Sequence, residues 1–205
     1  GNSGTELDWI LMKSKYQILF YDENQSIKPT DVRKEDFDKL MLRKNYHTYQ
    51  LTAQLRCLAG GNEYIDYVRA VFSNTPPKKK IEFKKYDLKL FDDVNEMVEN
   101  IKSKDSEYGL CRNIAGYAWK WNSKGKHLPL DSTISKDSNG LYDIEIGDYK
   151  YIWNSQAYDW INSKNAVNEI GSIHTTQGFD LNYTGLIIGN ELKYDIKNNK
   201  FIVDR

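Results

Sequence analysis

The pattern of hydrophobic and polar positions along the chain is of two kinds. Some segments are short runs of apolar residues, and other, longer segments have apolar side chains at helical spacing. The first kind predicts strands and the second predicts helices. The predicted strands are residues 16–21, 46–55, 87–91 and 110–119. The predicted helices are residues 31–42, residues 63–72 and a segment from a cap at Asp93 to about Lys104. Strand, helix and strand in this order favour an α/β fold with a parallel sheet.

Residues 141–153 predict a β-hairpin with a two-residue turn at Gly147-Asp148. The register that this turn implies pairs Ile146 with Tyr149, Ile144 with Tyr151, Tyr142 with Trp153, and Glu145 with Lys150. The last pair places opposite charges across the strands, which stabilises a sheet. A second hairpin is predicted to turn at Asn198-Asn199, with Ile196 opposite Phe201 and Tyr194 opposite Val203.

Composition indicates a globular chain without a strongly charged surface. The 205 residues are 40% hydrophobic, and 29 basic residues balance 29 acidic ones. Strong non-specific binding of nucleic acid by the whole surface is therefore disfavoured, and any such contact has to be local. The sequence has neither an apolar stretch of membrane-spanning length nor a signal peptide, so we expect a cytoplasmic protein with no membrane partner. Cys57 and Cys111 are expected to be free thiols.

Aromatic residues are dense between residues 119 and 160. They are Trp119, Trp121, Tyr142, Tyr149, Tyr151, Trp153, Tyr158 and Trp160. Such side chains could stack on unpaired bases, or they could form the core of a small β insertion. Both interpretations stay open from the sequence.

Residues 171–180 are the most informative stretch, because a strand-like run enters a polar bend containing glycine and an apolar run, residues 186–189, leaves it. Bends at the ends of strands are where open α/β sheets bind ligands. His174, Gln177, Gly178 and Asp180 are the candidate binding residues in this bend. Gly178 would allow close backbone approach to a ligand. A structural, hydrogen-bonding role is the alternative for His174.

Two further segments place polar side chains after predicted strands. Gln25 follows the apolar run and the acidic loop after it, and its amide can both donate to a phosphate oxygen and accept a hydrogen bond. The alternatives are a glutamine in an ordinary turn, or a magnesium-binding carboxylate at Asp22 or Glu23. Arg56 ends a second strand-like run, and its planar guanidinium suits phosphate oxygens. A surface ion pair is the alternative for this arginine.

Other kinds of catalytic site lack the residues they need. The chain has no Gly-x-x-x-x-Gly-Lys-Ser/Thr phosphate loop. His47, His127 and His174 show no metal-ligand spacing. A Ser-His-Asp arrangement is also missing. Asp143 and Glu145 suggest a nuclease, but glycine occupies position 147, where such a site needs a lysine.

The three segments around Gln25, Arg56 and His174 resemble motifs III, IV and V of superfamily 1 helicases and follow the same order. Over most of its length the chain is similar to the Schlafen-group-3-like DNA/RNA helicase family of bacterial proteins. Residues 17–29, 49–57 and 159–163 carry this wider resemblance. Two positions depart from the motif V pattern: Ser172 stands where threonine is usual, and Asp180 where glutamate is commoner.

The resemblance implies a RecA-like parallel sheet flanked by helices, with a β-hairpin insertion at about residues 120–165. Residues 1–45 would end a first RecA-like domain, and residues 46–205 would form the second. The chain would be a C-terminal fragment of an ATP-dependent DNA/RNA helicase or nucleic-acid-stimulated ATPase. The fragment alone would hold no cofactor and would be inactive.

The resemblance also implies partners and residue roles in the parent protein. ATP and Mg²⁺ would lie between the N-terminal RecA-like domain and this one, and single-stranded DNA or RNA would be the other partner. Gln25 would sense the γ-phosphate, and Arg56 would stabilise charge on it. Gly178 and Asp180 would hold the nucleotide, while His174 and Gln177 would couple that site to nucleic acid. The alternative is a non-catalytic, helicase-like platform that binds nucleic acid or protein; a stand-alone nuclease ranks third.

Overall fold

The computed structural model describes residues 4–22, 31–43, 45–51, 59–73, 75–126 and 141–204. The chain divides into two compact units, Gly1–Ala53 and Gln54–Arg205. Among the described helices, none is long and apolar enough to cross a membrane.

The first unit contains two short helices, α1 (Glu6–Lys13) and α2 (Lys34–Met41). The predicted helix at residues 31–42 is therefore confirmed. Thr5 caps α1, because its hydroxyl accepts the Asp8 N–H (3.2 Å) while the Asp8 carboxylate accepts the Thr5 N–H (2.8 Å). These hydrogen bonds hold the pKa of Asp8 below its ordinary value.

The prediction of a strand at residues 16–21 is wrong. The backbone there joins no ladder, and the apolar side chains of Ile18 and Phe20 are exposed. Tyr21 stacks on Phe37 of α2, with ring centroids 4.1 Å apart. An apolar run becomes a strand only where a second backbone pairs with it, and the described part of this unit supplies none.

The second unit holds the remaining elements. Its helices are α3 (Gly61–Val71), α4 (Val94–Tyr108) and the short α5 (Ile173–Thr176). Its strands are β1 (Cys111–Ala115), β2 (Ile144–Ile146), β3 (Tyr149–Tyr151), β4 (Ile170–Gly171), β5 (Tyr183–Ile187), β6 (Leu192–Asp195) and β7 (Lys200–Val203). The predicted helix at residues 63–72 is confirmed as α3.

A parallel three-stranded sheet in the order β4-β1-β5 forms the centre of this unit. Helix α4 packs on it through Met97, Val98 and Ile101. The helix begins where predicted, since the Asp93 carboxylate accepts the Glu96 N–H at 2.9 Å. The fold is thus α/β with a parallel sheet, helices and antiparallel hairpins, as the sequence pattern indicates.

Two further predicted strands do not form as expected. Residues 87–91 join no sheet among the described residues; Leu90 is 85% exposed, while Phe91 packs against the core. Residues 46–51 also join no sheet, and the rest of the predicted strand at residues 46–55 lies outside the described residues. The parallel partners of β1 are instead β4 and β5, which are distant in sequence.

The first hairpin, β2–β3, has the predicted register at three positions. Ile144 faces Tyr151, Ile146 faces Tyr149, and Glu145 faces Lys150 with their charged atoms 3.5 Å apart. The predicted pairing of Tyr142 with Trp153 is wrong. The backbone N–H of Trp153 donates instead to the Asp143 carboxylate (2.8 Å), and Trp153 forms a parallel bridge with Ile170 of β4. The chain therefore leaves the hairpin to join the central sheet.

The second hairpin, β6–β7, turns where expected but with a different register. Tyr194 faces Phe201 and Leu192 faces Val203, two residues away from the predicted pairing. Both favoured two-residue turns need positive φ at their first position, here Asn198, but of the two asparagines only Asn199 adopts it (50°). The Asp195 carboxylate accepts the backbone N–H groups of residues 197 and 198 and so closes a longer loop.

The buried core lies between α4 and the central sheet. Its buried members are Met97, Val98, Ala115, Ile144, Tyr151, Trp153, Ile170 and Ile187. A smaller cluster of Trp160, Ile161 and Ala166 packs beside it. Cys111 is a buried free thiol whose pKa is raised by that burial, whereas Cys57 lies outside the described residues.

Asn113 and Gly185 face each other in the centre of the sheet, and their contact leaves no spare room. Asn113 is fully buried, and neither polar atom of its amide has a partner among the described residues. A Cβ atom at position 185 would lie 2.2 Å from Asn113 Oδ1 and 3.0 Å from Ile101 Cγ1. Glycine is therefore required at position 185 by packing.

We expect Gly185→Ala to destabilise the protein by about 1–3 kcal/mol, the usual cost of overpacking a core. Urea unfolding measures this. The control is Gly116→Ala, whose Cβ would come no closer than 3.6 Å to Glu191 Oε1 and should cost less than about 0.5 kcal/mol. Because Asn113 causes the clash, Asn113→Ala should reduce the cost of Gly185→Ala. An equal cost in both backgrounds would contradict this account.

Tyr151 gives a pH-dependent prediction. Its hydroxyl is buried and has no partner among the described residues, and burial, followed by the charge of Asp93, raises the pKa of Tyr151 to about 12. Between its ordinary value near 10 and this value, the unfolded chain loses a proton that the folded protein keeps, so stability falls as pH rises. Tyr151→Phe should make that fall shallower and leave stability at pH 7 unchanged or slightly higher. Clear destabilisation at pH 7, measured by urea unfolding, would show that the hydroxyl has a partner.

Candidate functional site at the carboxyl edge of the sheet

The carboxyl ends of β1, β4 and β5 lie at one edge of the sheet because the three strands are parallel. Three loops leave this edge: residues 116–121 after β1, residues 172–182 after β4 and residues 188–191 after β5. Ligands of open α/β sheets bind at such edges. The polar bend at residues 171–180, which the sequence analysis identified, belongs to the loop after β4.

The loop after β4 begins with a closed set of hydrogen bonds. The N–H of Ser172 donates to the Thr175 hydroxyl (3.3 Å), and the two hydroxyls lie 3.2 Å apart. The Thr175 hydroxyl in turn donates to Asn154 Oδ1 (2.6 Å), and that of Thr176 donates to the Ser172 carbonyl (3.1 Å). These bonds fix the single turn of α5 against the segment that contains Asn154.

Asn154 is itself held in place by β4. It is buried and adopts a φ of 52°, and its backbone N–H donates to the Ile170 carbonyl at 2.8 Å. Asn154 therefore connects two elements: its backbone is bonded to β4, and its side chain holds Thr175 of the turn. The base of the turn is built from buried polar contacts, which stabilise one geometry only when every member is satisfied.

Trp160 also anchors β4. Its indole N–H donates to the buried Glu169 carboxylate (2.8 Å), and its ring lies against Gly171. A Cβ atom at position 171 would come within 2.4 Å of that ring. Glycine at the end of β4 is thus required for the tryptophan to pack there.

The four residues predicted for this bend all lie on the exposed side of the turn. His174 is on α5, Gln177 ends that helix, and Gly178 and Asp180 follow. Gly178 has a φ of 94°, a backbone conformation that favours glycine, and no atom lies within 4 Å of the place where a Cβ would be. The structure therefore brings these residues together in one turn, with open space above the glycine.

Gln25 and Arg56, the other two predicted site residues, lie outside the described residues, as does Glu23. Their predicted roles at a phosphate stay predictions. Asp22, the other candidate for a magnesium-binding carboxylate, is described and exposed. Within the described ranges, no group of three or more His, Cys, Asp or Glu side chains is placed to hold a metal ion.

Glu191 is a candidate that the sequence analysis missed. Its carboxylate lies against Gly116 after β1 and Gly189 after β5; a Cβ at position 189 would be 2.4 Å from Oε2. Oε2 is buried and accepts no hydrogen bond from the described residues. Buried acceptors are ordinarily paired with a donor, so this carboxylate oxygen at the ends of two strands is unusual. The sequence signal is a glycine after each of two apolar strands, with an acidic residue close behind the second.

Asp143, considered in the sequence as part of a nuclease site, has a structural role. Its carboxylate accepts hydrogen bonds from the Ser123 N–H (2.8 Å), the Ser123 hydroxyl (2.7 Å) and the Trp153 N–H (2.8 Å). Glu145 is exposed and pairs with Lys150. The two carboxylates thus make different contacts, which disfavours a shared nuclease site.

Most of the dense aromatic residues belong to the core rather than to a binding surface. Tyr151, Trp153 and Trp160 are buried, and Trp119 and Trp121 are partly buried against them. The indole N–H of Trp153 lies within hydrogen-bonding distance of the carbonyls of Ala115 (3.3 Å) and Gly171 (3.1 Å), the last residues of β1 and β4. Tyr158, by contrast, is 90% exposed.

Comparison with known proteins agrees with the resemblance found in the sequence. The family described as Schlafen group 3, DNA/RNA helicase domain matches residues 2–205. Uncharacterized protein YPL245W of Saccharomyces cerevisiae is 29% identical over 212 residues, which cover 90% of this chain and 43% of that protein. The chain thus spans less than half the length of this relative. A bacterial source gains no support from this yeast protein. No solved structure matches the chain.

Thr175→Val tests whether the buried hydrogen bonds fix the turn. The change keeps the shape of the side chain but leaves Asn154 Oδ1 without its donor and the Ser172 N–H without its acceptor. We expect a loss of about 1–3 kcal/mol in urea unfolding, together with faster hydrogen exchange of the Gln177 N–H, which donates to Ile173 O at 2.9 Å. His174→Ala, at an exposed position on the same helix, is the control and should change stability by less than about 0.5 kcal/mol. Equal behaviour of the two variants would contradict the anchoring role.

Proposed function

The chain belongs to the Schlafen group 3, DNA/RNA helicase domain family, and from this membership we propose that it is part of a superfamily 1-like, ATP-dependent DNA/RNA helicase or nucleic-acid-stimulated ATPase. In this proposal it contributes motifs III, IV and V. Residues 1–45 end a first RecA-like domain, and residues 46–205 form the second.

The observation that carries the proposal is the turn after β4. His174, Gln177, Gly178 and Asp180 lie on its exposed side, at the carboxyl edge of a parallel sheet. The base of the same turn is fixed by buried hydrogen bonds. A rigid base with exposed polar groups is what a ligand-binding loop requires, because the geometry is set before the ligand arrives.

The exposed groups differ in the contacts that each can make. Gly178 leaves the backbone open to close approach by a nucleotide, and the Asp180 carboxylate can accept hydrogen bonds from ribose hydroxyls. The imidazole of His174 and the amide of Gln177 can each donate and accept, which suits bases and phosphates of a nucleic acid. We assign Gln25 and Arg56 to the γ-phosphate, as the motif resemblance implies.

ATP fits the described residues in part. The open space at Gly178 is compatible with a nucleotide at this edge. ATP, when bound, supplies the phosphoanhydride bond whose hydrolysis drives such motors. We assign Mg²⁺ to the phosphates of ATP and to residues of the N-terminal RecA-like domain of the same protein.

The second candidate function is a non-catalytic platform that binds nucleic acid or protein. The balance of 29 basic and 29 acidic residues favours it, because a motor that holds nucleic acid usually presents a basic channel. Salt dependence separates the two kinds of partner. Affinity for a single strand falls as salt rises, because phosphate contacts release counterions, whereas an uncharged protein interface responds far less.

ATP hydrolysis by the full-length protein, with and without single-stranded DNA or RNA, tests the proposal. We expect stimulated turnover that falls by roughly 10³-fold or more in Arg56→Ala, since an arginine at the γ-phosphate contributes about 10³–10⁵ in related phosphoryl transfers. Arg69→Ala is the matched control. That arginine is exposed on α3, and its guanidinium is 3.7 Å from Asp66, so its loss should leave the rate unchanged.

Two outcomes would contradict the motor proposal. Hydrolysis that is indifferent to Arg56 would remove this residue from the phosphate site, and an inactive full-length protein that still binds single strands would favour the platform. The 205-residue chain alone should not hydrolyse ATP, because the phosphate loop belongs to the N-terminal domain. Turnover by the pure chain that is abolished by Arg56→Ala would also contradict the proposed division of the site.

A further inference from the structure

Tyr117 is an exposed aromatic residue at the same edge as the candidate turn, two residues after the end of β1. Its side chain is 70% exposed although it packs on Trp153, with ring centroids 5.4 Å apart and ring planes at 56°. Trp153 is buried and is held at the ends of β1 and β4 by its indole N–H. The ring of Tyr117 therefore rests on a fixed support and still presents most of its surface to solvent.

The support beneath Tyr117 is rigid. Trp121 packs edge-on against Trp153, with centroids 5.0 Å apart, and its own N–H donates to the Ser123 hydroxyl at 3.1 Å. That hydroxyl donates in turn to the buried Asp143 carboxylate. The three rings thus form an aromatic cluster that ends in one exposed member, Tyr117. A tyrosine held in this way loses little conformational freedom when another ring packs on it.

The chain segment that carries Tyr117 and Trp121 is basic. Residues 117–126 contain Lys120, Lys124 and Lys126, all exposed, and no acidic residue. The ammonium of Lys124 lies 5.4 Å from the Trp121 ring centroid. An exposed ring bordered by ammonium groups is complementary to a strand that alternates flat bases with phosphates. Because the whole chain is neutral, nucleic-acid contact requires local positive charge, and this segment offers it beside an exposed ring.

We propose that Tyr117 is a base-stacking residue for single-stranded nucleic acid and that the lysines of residues 117–126 contact the neighbouring phosphates. The inference rests on the proposed function and adds to it a contact outside motifs III, IV and V. The stacked base lies at the end of β1, beside the turn that carries His174 and Gln177. The strand then spans two loops at the carboxyl edge of the sheet.

Binding of the full-length protein to two fluorescent strands of equal length, oligothymidine and an abasic strand, tests the stacking contact. Both strands carry the same phosphates, but only the first offers bases. Tyr117→Leu should weaken binding of oligothymidine by roughly tenfold, as expected for the loss of one stacked base, and should change abasic binding little. Tyr117→Phe keeps the ring and should bind as the wild type does.

Tyr158→Leu is the matched control, because Tyr158 is 90% exposed and belongs to the same unit, and it should leave both affinities unchanged. Lys124→Ala should weaken both strands alike and make the dependence of log affinity on log salt shallower by about one unit. Oligouridine in place of oligothymidine shows whether the contact also holds for RNA. A tenfold loss with either base-containing strand supports the proposal.

Several outcomes would overturn the proposal. If Tyr117→Leu binds oligothymidine and oligouridine as the wild type does, the stacking role is wrong while the motor proposal stands. If Tyr117→Phe loses as much as Tyr117→Leu, the hydroxyl rather than the ring makes the contact, and stacking is again wrong. If the wild type binds no single strand, both this inference and the nucleic-acid part of the proposed function fail.

Discussion

The position of Trp153 is the constraint on which the rest of the second unit depends. Its backbone N–H is held by Asp143, its indole N–H reaches the ends of β1 and β4, and its ring fills the core beneath α4. One side chain thus links the β2–β3 hairpin to the parallel sheet. The backbone bond from Asn154 to Ile170 and the bonds from Ser123 to Asp143 add to this link and fix the hairpin relative to the edge where the candidate residues lie.

The same residue explains why the aromatic density in the sequence has two meanings. A buried ring such as Trp153 stabilises the fold through its apolar area and the two carbonyls that it satisfies. An exposed ring that packs on it, Tyr117, keeps its own surface available for a ligand. A buried ring and an exposed ring are therefore neighbours in one aromatic cluster, and under our proposal the first belongs to the core and the second to a binding surface.

Elements that depend on contacts between residues close in sequence could be predicted from the sequence. The cap at Asp93 sets the start of α4, and the cross-strand pairs of β2–β3 fix their own register, so both could be found without knowledge of the rest. The turn with His174, Gln177, Gly178 and Asp180 was found for a similar reason, since all four lie within seven residues of one another.

Features that depend on distant partners could not be predicted in the same way. Residues 87–91 alternate like a strand but meet no other strand, and the β6–β7 register depends on how the Asp195 side chain closes its loop. The acceptor of Glu191 becomes notable only when two loops bring Gly116 and Gly189 against it. Such contacts require the fold to be known first.

Strand β4 supplies only two residues to the ladder, so side chains carry much of its attachment. Gly171 accommodates Trp160, and Thr175 depends on Asn154. In evolutionary terms each of these two pairs is epistatic: the residues tolerated at one position depend on which residue occupies the other. The exposed positions His174 and Gly178 take no part in either contact. We therefore expect the exposed face of the turn to diversify within the family, while Gly171 with Trp160, and Thr175 with Asn154, change only as pairs.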